Sequence, residues 1–245
     1  MGVNEIMNKY KELTIKVYLY KDIKVKDSYE KISRLLNYIM EKDKTLSEKH
    51  TIYSKFKGYS FSGMYPIEKD GIYKMNEIYQ ITLRAYDDCF ANTLQEVATG
   101  EENEDMCIIT IDSELCSSKE IIEMYTITPA VASIMTPKGK TVSWNTNMAQ
   151  DIEEIIFKNL LKKYNFINGT NVLTTKEDVI ESVDIVSKCA IVINYKGHKI
   201  LGYKYKIVFK QNNIAQEIAN CANVLGVLTK NSTLGCGFVK SIYKR

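Results

Sequence analysis

The predicted strands and helices of this chain follow the order strand, helix, strand, strand, helix, strand twice in succession. In the first half, alternating apolar and polar residues predict the strands, and apolar residues at helical spacing predict the helices. The predicted strands cover residues 13–20, 57–65, 78–86 and 106–111, and the predicted helices cover residues 28–40 and 87–98. This order is typical of a ferredoxin-like βαββαβ domain.

The second half repeats the order of elements, although the two halves do not match residue for residue. Its predicted strands cover residues 123–136, 185–195, 199–210 and 237–243, and its predicted helices cover residues 147–164 and 214–225. Asn147 and Gln150 form a capping box that is expected to begin the first of these helices. We therefore predict an α+β fold of two tandem ferredoxin-like domains, at residues 1–118 and 119–245.

The composition is that of a globular protein, with 245 residues of which 45% are hydrophobic and 26% charged. No apolar run is long enough to predict a membrane-spanning helix, and the polar N-terminus argues against a signal peptide. The six cysteines form no CxxC pair. We therefore expect reduced thiols and a cytoplasmic location, and neither disulfides nor a zinc site.

Charge is distributed unevenly along the chain. Residues 1–120 carry 17 basic and 21 acidic residues, whereas residues 121–245 carry 16 basic and 9 acidic residues. The excess of lysine in the second half has two interpretations, a solvated lysine-rich surface or a face that binds a polyanion.

A glycine-rich segment, residues 226–239, joins the last predicted helix to the last predicted strand. Gly226, Gly235 and Gly237 surround Lys230 and a group of polar side chains. Glycines at such a joint are most often a helix cap and a bulge. The alternative is a loop whose backbone N–H groups bind phosphate.

The chain has two histidines, in different settings. His50 lies in a polar linker predicted over residues 45–56, close in sequence to Lys57. Histidine transfers protons near neutral pH, and a lysine stabilises the charge on a pentacovalent phosphate. Such a pair, with Tyr38 on the preceding helix in reach, suits RNA cleavage without a metal; an inert linker histidine is the alternative. His198 follows a predicted hairpin glycine, where an exposed turn residue is the simpler interpretation.

Metal and nucleotide motifs are missing from the sequence. No HxH, HExxH or HD pair is present, and neither GxxxxGK[ST] nor GxGxxG follows a predicted strand. We therefore predict no metal site and no cofactor.

Four stretches, taken in order along the chain, resemble a known family. They are His50 with residues 57–62, residues 64–67 with 78–84, residues 128–131 with 138–140, and residues 226–240. They resemble the CRISPR-associated endoribonuclease that processes CRISPR repeat RNA, a member of the RAMP superfamily.

The resemblance implies two ferredoxin-like (RRM-like) domains with facing sheets, and a metal-independent cut that leaves a 2′,3′-cyclic phosphate and a 5′-hydroxyl. It implies that His50 is the general acid or base and that Lys57 stabilises charge at the scissile phosphate. A tyrosine assists in some members of the family; Tyr38 matches best here and Tyr53 second.

The resemblance also implies that the glycine-rich segment holds the RNA backbone. The residues expected to contact RNA are Gly226, Lys230, Asn231, Ser232, Gly235, Gly237, Lys138, Lys140, His198 and Lys199. Leu228 departs from the family, which usually has a glycine at this position. The implied partners are CRISPR repeat RNA, within precursor crRNA, and other Cas proteins of an effector complex; both a monomer and a homodimer are compatible with the sequence.

Two other functions are compatible with the same pattern. One is a non-catalytic RNA-binding scaffold of the same superfamily, which would bind RNA in a salt-dependent way without forming product. The other is a ferredoxin-like module that binds a small molecule or a protein partner and has no RNA role, in keeping with the modest net charge of +3.

Overall fold

The computed structural model describes residues 9–52, 57–136 and 139–244, and for residues 49–52 it describes the backbone alone. The elements of the first half are β1 Lys9–Leu19, β2 Ile23–Lys24, α1 Val25–Lys42, α2 Lys44–Ile52, β3 Tyr59–Phe61, β4 Ile72–Tyr73, β5 Ile78–Ala85, α3 Asp88–Ala98 and β6 Met106–Ser117.

The first sheet has four antiparallel strands in the order β3-β5-β1-β6. Alternate residues of β1, from Leu13 to Leu19, point into a core that α1 and α3 cover. This is the strand order that a βαββαβ unit produces, with its first strand in the sheet interior beside the third and the fourth.

The elements of the second half are β7 Ile121–Thr126, β8 Ser133–Met135, β9 Thr141–Ser143, α4 Ile152–Asn168, α5 Lys176–Val179, β10 Ile180–Ile185, β11 Ile191–Tyr195, β12 His198–Gly202, β13 Tyr205–Phe209, α6 Asn213–Leu225, α7 Asn231–Leu234 and β14 Val239–Tyr243. The second sheet has the order β10-β13-β7-β14, again antiparallel. The predicted α+β class with two ferredoxin-like units is confirmed. The division into domains at residues 118 and 119 stays a prediction; it falls between β6 and β7.

The hairpin predicted at residues 185–210, with its turn at Lys196-Gly197, is present over residues 191–202, but its two strands do not run on unbroken into the sheet. The sheet takes β10 and β13 as its neighbouring strands, and β11 with β12 forms a separate hairpin outside it. This hairpin packs on α1, where Asn194 Nδ2 donates to Asp27 Oδ1 at 2.6 Å. The strand predicted over 199–210 divides near Gly202, where a Cβ atom would come within 3.0 Å of the Ala130 carbonyl oxygen.

The predicted start of α4 is also wrong. The helix begins at Ile152, and its cap is Asp151, whose side chain accepts a hydrogen bond from the Glu153 N–H at 3.0 Å. Trp144 Nε1 donates to the Gln150 carbonyl at 2.9 Å. That contact keeps residues 147–150 in an irregular segment, so the predicted capping box does not form the helix start.

The polar linker predicted over residues 45–56 is a helix for most of its length. Leu46 is fully buried in the first core, and its N–H is capped by Asp43 Oδ1 at 2.9 Å. Leu46 and the Asp43 cap therefore help to hold α2, which contains His50. Residues 53–56 lie outside the described residues. Across the described ranges, no helix has both the length and the apolar character to span a membrane.

Candidate functional site

The glycine-rich segment packs against β3 of the first sheet. Tyr59 Oη donates to the Ser232 carbonyl at 3.3 Å, and Ser60 Oγ donates to the Val224 carbonyl at 2.6 Å. The end of the second half is thus fixed to the strand that directly follows Lys57.

The three glycines of this segment are required by close packing as well as by backbone conformation. All three have φ between 65° and 72°. A Cβ atom on Gly235 would lie 2.7 Å from the Phe61 ring, and one on Gly237 would lie 2.0 Å from the Val227 carbonyl oxygen. Gly226 also ends α6, so the cap interpretation is correct for this glycine. These glycines shape the segment, and any RNA contact they make would be through their backbone.

Two residues other than glycine also adopt the left-handed conformation here. Leu228 has φ 61° and Lys230 has φ 64°. The position where the family usually has glycine is therefore a left-handed one, and this chain fills it with a buried leucine. A side chain in this conformation is strained, so the surrounding contacts must hold the turn in place.

Asn231 lies inside the segment and braces it. Its Nδ2 donates to the carbonyls of Val227 and Cys236 at 2.9 and 2.7 Å, and its Oδ1 accepts from Lys163 Nζ at 2.7 Å. The side chain of Asn231 is 7% exposed. The structure therefore places it where it sets the loop's shape, whereas the sequence had suggested a surface contact.

Lys163 is a residue whose role the sequence did not reveal. It lies near the end of the helix predicted over residues 147–164, but α4 continues to Asn168 and Lys163 is buried, 1% exposed. Its Nζ also donates to the Gly226 carbonyl at 2.7 Å. Burial lowers the pKa of Lys163 to about 7.

A small cavity of about 130 Å³ lies between the glycine-rich segment and the start of β3. Lys57, Lys163, Lys230 and Ser232 are among its lining residues. Partial burial lowers the pKa of Lys57. The side chains of Lys57, Lys230 and Ser232 around this polar cavity provide donors for an anionic group such as a phosphate. Lys57 and Lys230, which are 173 positions apart in sequence, thus share one site.

For the other predicted catalytic residues, the structure describes the side chain of Tyr38 but not those of His50 and Tyr53. His50 lies in the last turn of α2, and its side chain is outside the described residues, as is all of Tyr53. Tyr38 is exposed on α1, with Lys42 Nζ 4.2 Å from the centre of its ring. The structure therefore brings Lys57 to the glycine-rich segment. The position of the His50 imidazole relative to Lys57 stays a prediction.

The predicted RNA contacts outside this segment lie on two hairpins. His198 and Lys199 are exposed at the start of β12, and Lys140 is exposed before β9, while Lys138 is outside the described residues. Lys230 Nζ lies 5.6 Å from the centre of the Tyr195 ring on β11. The β11–β12 hairpin therefore adjoins the glycine-rich segment and extends its basic surface.

In the described part of the chain, no three His, Cys, Asp or Glu residues are grouped so that they could hold a metal ion. The described site is instead made of lysines, hydroxyls and backbone groups. Those groups bind anions and do not form an ordinary metal-binding set.

Two ferredoxin-like units, with a glycine-rich segment of the second closed onto the first, define a protein of the RAMP class. The family model "CRISPR associated protein Cas6, C-terminal" matches residues 112–240, just over half of the chain. The chain therefore belongs to the Cas6 family of CRISPR-associated proteins. None of the curated proteins matches it.

Solved structures show the same fold. "CRISPR associated protein Cas6" has 18% identity and a TM-score of 0.70, covering 95% of this chain and 99% of that one. "An RAMP protein binding different RNA substrates" has 14% identity and a TM-score of 0.72, covering 95% and 99%. A product complex of Thermus thermophilus Cas6 has 14% identity and a TM-score of 0.64, covering 96% and 100%.

Proposed function

We propose that this protein is an endoribonuclease that binds CRISPR repeat RNA within precursor crRNA and cuts it without a metal. A general base takes the proton of the 2′-hydroxyl as its oxygen attacks the adjacent phosphate, the bond between phosphorus and the 5′-oxygen breaks, and a general acid protonates that oxygen. The products carry a 2′,3′-cyclic phosphate and a 5′-hydroxyl. The observation that carries the proposal is the cavity that Lys57, Lys230 and Ser232 line together. Membership of the Cas6 family supports it.

His50 is the proposed general acid or base. It lies seven positions before Lys57, at the end of α2, so a short segment links the two residues. Lys57 stabilises the negative charge that builds up on the phosphate, and its partial burial strengthens that interaction. Tyr38 or Tyr53 is the proposed assisting residue.

The second half supplies most of the RNA-binding surface in this proposal. It carries the positive excess of the chain and presents Lys140, His198 and Lys199 on exposed hairpin positions. Phosphate contacts of this kind position an RNA without reading its sequence. Other Cas proteins of an effector complex are the further partners that we propose.

The test is cleavage of a CRISPR repeat RNA in EDTA, with wild type compared with His50→Ala. Loss of one proton-transfer group is expected to lower the single-turnover rate by about 10²–10⁴-fold. His198→Ala is the matched control, because it removes the other histidine; it is expected to weaken binding and leave the rate at saturating protein unchanged. Full activity of His50→Ala, or loss of wild-type cleavage in EDTA, would contradict the proposal.

A non-catalytic RNA-binding scaffold is the second candidate. The described residues that line the cavity are compatible with a scaffold, because they are hydrogen-bond donors that hold phosphate. Proton transfer depends on His50, which is not among these lining residues. Tight, salt-dependent RNA binding by wild type without any product under single-turnover conditions would establish the scaffold.

A further inference from the structure

We propose that Lys163 is a positioning residue, which fixes the shape of residues 226–236 and thereby the place of Lys230 and Ser232 opposite Lys57. The inference rests on the proposed function for its effect on RNA, whereas its effect on the loop can be measured without RNA.

The geometry uses every donor of the Lys163 ammonium group. Nζ donates to the Leu225 carbonyl at 3.4 Å, to the Gly226 carbonyl at 2.7 Å and to Asn231 Oδ1 at 2.7 Å. An ammonium group has three N–H donors, and the site offers three acceptors. Two of these acceptors are carbonyls at the C-terminal end of α6, where a cation is favourable.

The contacts of Lys163 join the two ends of the left-handed turn. Leu225 and Gly226 end α6, and Asn231 begins α7. Between them, Leu228 and Lys230 have positive φ, a conformation that must be held by the surrounding structure. Lys163 reaches both ends from α4, so it clamps the turn from the core side.

The burial of Lys163 is costly in itself, which points to a role beyond packing. Within the described part of the chain, the hydrogen-bond partners of its Nζ are two backbone carbonyls and an amide oxygen, none of them a carboxylate. A buried charge without an opposite charge destabilises a fold, and an apolar side chain of similar length would fill the same volume at lower cost. We attribute the presence of a lysine at this buried position to the turn that its ammonium group holds in place.

Protonation controls the number of donors that Lys163 provides. Its pKa near 7 means that one of the three N–H donors is lost as the pH rises through neutrality. Burial raises the pKa of the Cys221 and Cys236 thiols to about 12 and that of the Tyr59 phenol still further, so these neighbours stay neutral. The other titratable groups at the cavity are Lys57 and Lys230.

The first experiment measures amide hydrogen exchange over residues 227–236 in wild type, Lys163→Met and Lys162→Met. Lys162 is the matched control, because it is the neighbouring lysine on α4 and is exposed. The Val227 and Gly235 amides, which are bonded within the segment at 2.8 and 2.9 Å, are expected to exchange at least about tenfold faster in Lys163→Met only. Unchanged protection of these amides in folded Lys163→Met would overturn the proposal.

The second experiment uses wild type, so it does not depend on a variant that folds. From pH 6 to pH 9, after correction for intrinsic exchange, the loop amides are expected to gain protection relative to the amides of β1 and β5, because opening the loop exposes Lys163 to water and its lowered pKa favours the closed loop at the higher pH. Lys57→Met is expected to keep this response and Lys163→Met to lose it. A loop whose protection does not change with pH in wild type would overturn the proposal.

The third experiment is a double-mutant cycle between Lys163→Met and Lys230→Ala. The readout is the Kd for a repeat RNA with a 2′-deoxy substitution at the cut site. If Lys163 acts by placing Lys230, the double variant binds about as weakly as the weaker single variant. Fully additive losses would contradict positioning. Failure of wild type to bind RNA would instead refute the proposed function, and the exchange experiments would still decide the role of Lys163.

Discussion

Arg84 in β5 of the first sheet donates from Nη1 to the carbonyl of Val239 in β14 of the second sheet at 3.0 Å. The same nitrogen donates to the carbonyl and the side-chain oxygen of Asn223 at 2.9 and 3.0 Å, while Nε pairs with Glu12 at 2.7 Å. The guanidinium also lies 4.7 Å from the centre of the Phe238 ring. One side chain therefore connects both sheets beside the glycine-rich segment.

Replacing Arg84 with methionine is expected to lower the free energy of unfolding by about 2–4 kcal/mol, because Glu12 and the carbonyls lose a partly buried charged partner. The measurement is urea unfolding. Arg34→Met is the matched control: the Arg34 side chain is 61% exposed and pairs with Glu30 one turn earlier, so its loss is expected to cost less than about 0.5 kcal/mol. Equal effects of the two changes would show that Arg84 does not hold the sheets together.

Gly237→Ala tests the close packing of the glycine-rich segment. A Cβ atom at this position would meet the Val227 carbonyl oxygen at 2.0 Å, so the backbone has to move. We expect a loss of at least about 2 kcal/mol in the free energy of unfolding, since the steric clash adds to the cost of a left-handed alanine. RNA affinity is expected to fall with it.

Gly100→Ala separates the cost of the steric clash from the cost of a left-handed alanine. Gly100 has φ 85°, and an added Cβ atom would have nothing within 4 Å. Its loss of stability is expected to be about 1 kcal/mol, the cost of the conformation alone. A Gly237→Ala variant no less stable than Gly100→Ala would mean that the segment can shift freely.

Lys230→Ala is expected to weaken RNA binding more than it slows cleavage, because Lys230 holds the backbone in the proposed site and moves no proton. The slope of log Kd against log salt concentration is expected to become smaller by about 1, which is the contribution of one phosphate contact. Lys158→Ala is the control, since Lys158 is exposed on α4 and pairs with Glu154. An unchanged Kd for Lys230→Ala would exclude this lysine from the RNA interface.

The sequence predicted the repeated order of elements because alternation and helical spacing record which side of an element is buried. It failed for α2, because this helix has too few apolar residues for a helical spacing to show; among its described side chains, Leu46 is the buried one. It predicted the turn of the β11–β12 hairpin but not the hairpin's place outside the sheet, which depends on contacts with α1 that are distant in sequence. Periodicity carries no information about such contacts.

For the candidate site, the glycines and Lys230 could be found from the local pattern. Lys163 could not, because one lysine among apolar residues on a helix looks the same whether it faces solvent or the core. Lys162 and Lys163 are adjacent in sequence, yet one is exposed and the other is buried. The only hint was its spacing: Lys163 lies three residues after Leu160, on the buried stripe of the helix.

The stability of the protein is expected to depend on pH through Lys163. Its pKa in the folded protein is about 7, against roughly 10.4 for a lysine in an unfolded chain. Between these values the unfolded chain binds more protons, so the free energy of unfolding rises with pH across that window. The destabilisation by Lys163 is complete below pH 7.

Urea unfolding of wild type and Lys163→Met at pH 6, 7.5 and 9 measures this dependence of stability on pH. Relative to Lys163→Met, wild type is expected to gain about 1–3 kcal/mol between pH 6 and pH 9. A difference between the two proteins that stays constant with pH would contradict the lowered pKa of Lys163 in the folded protein.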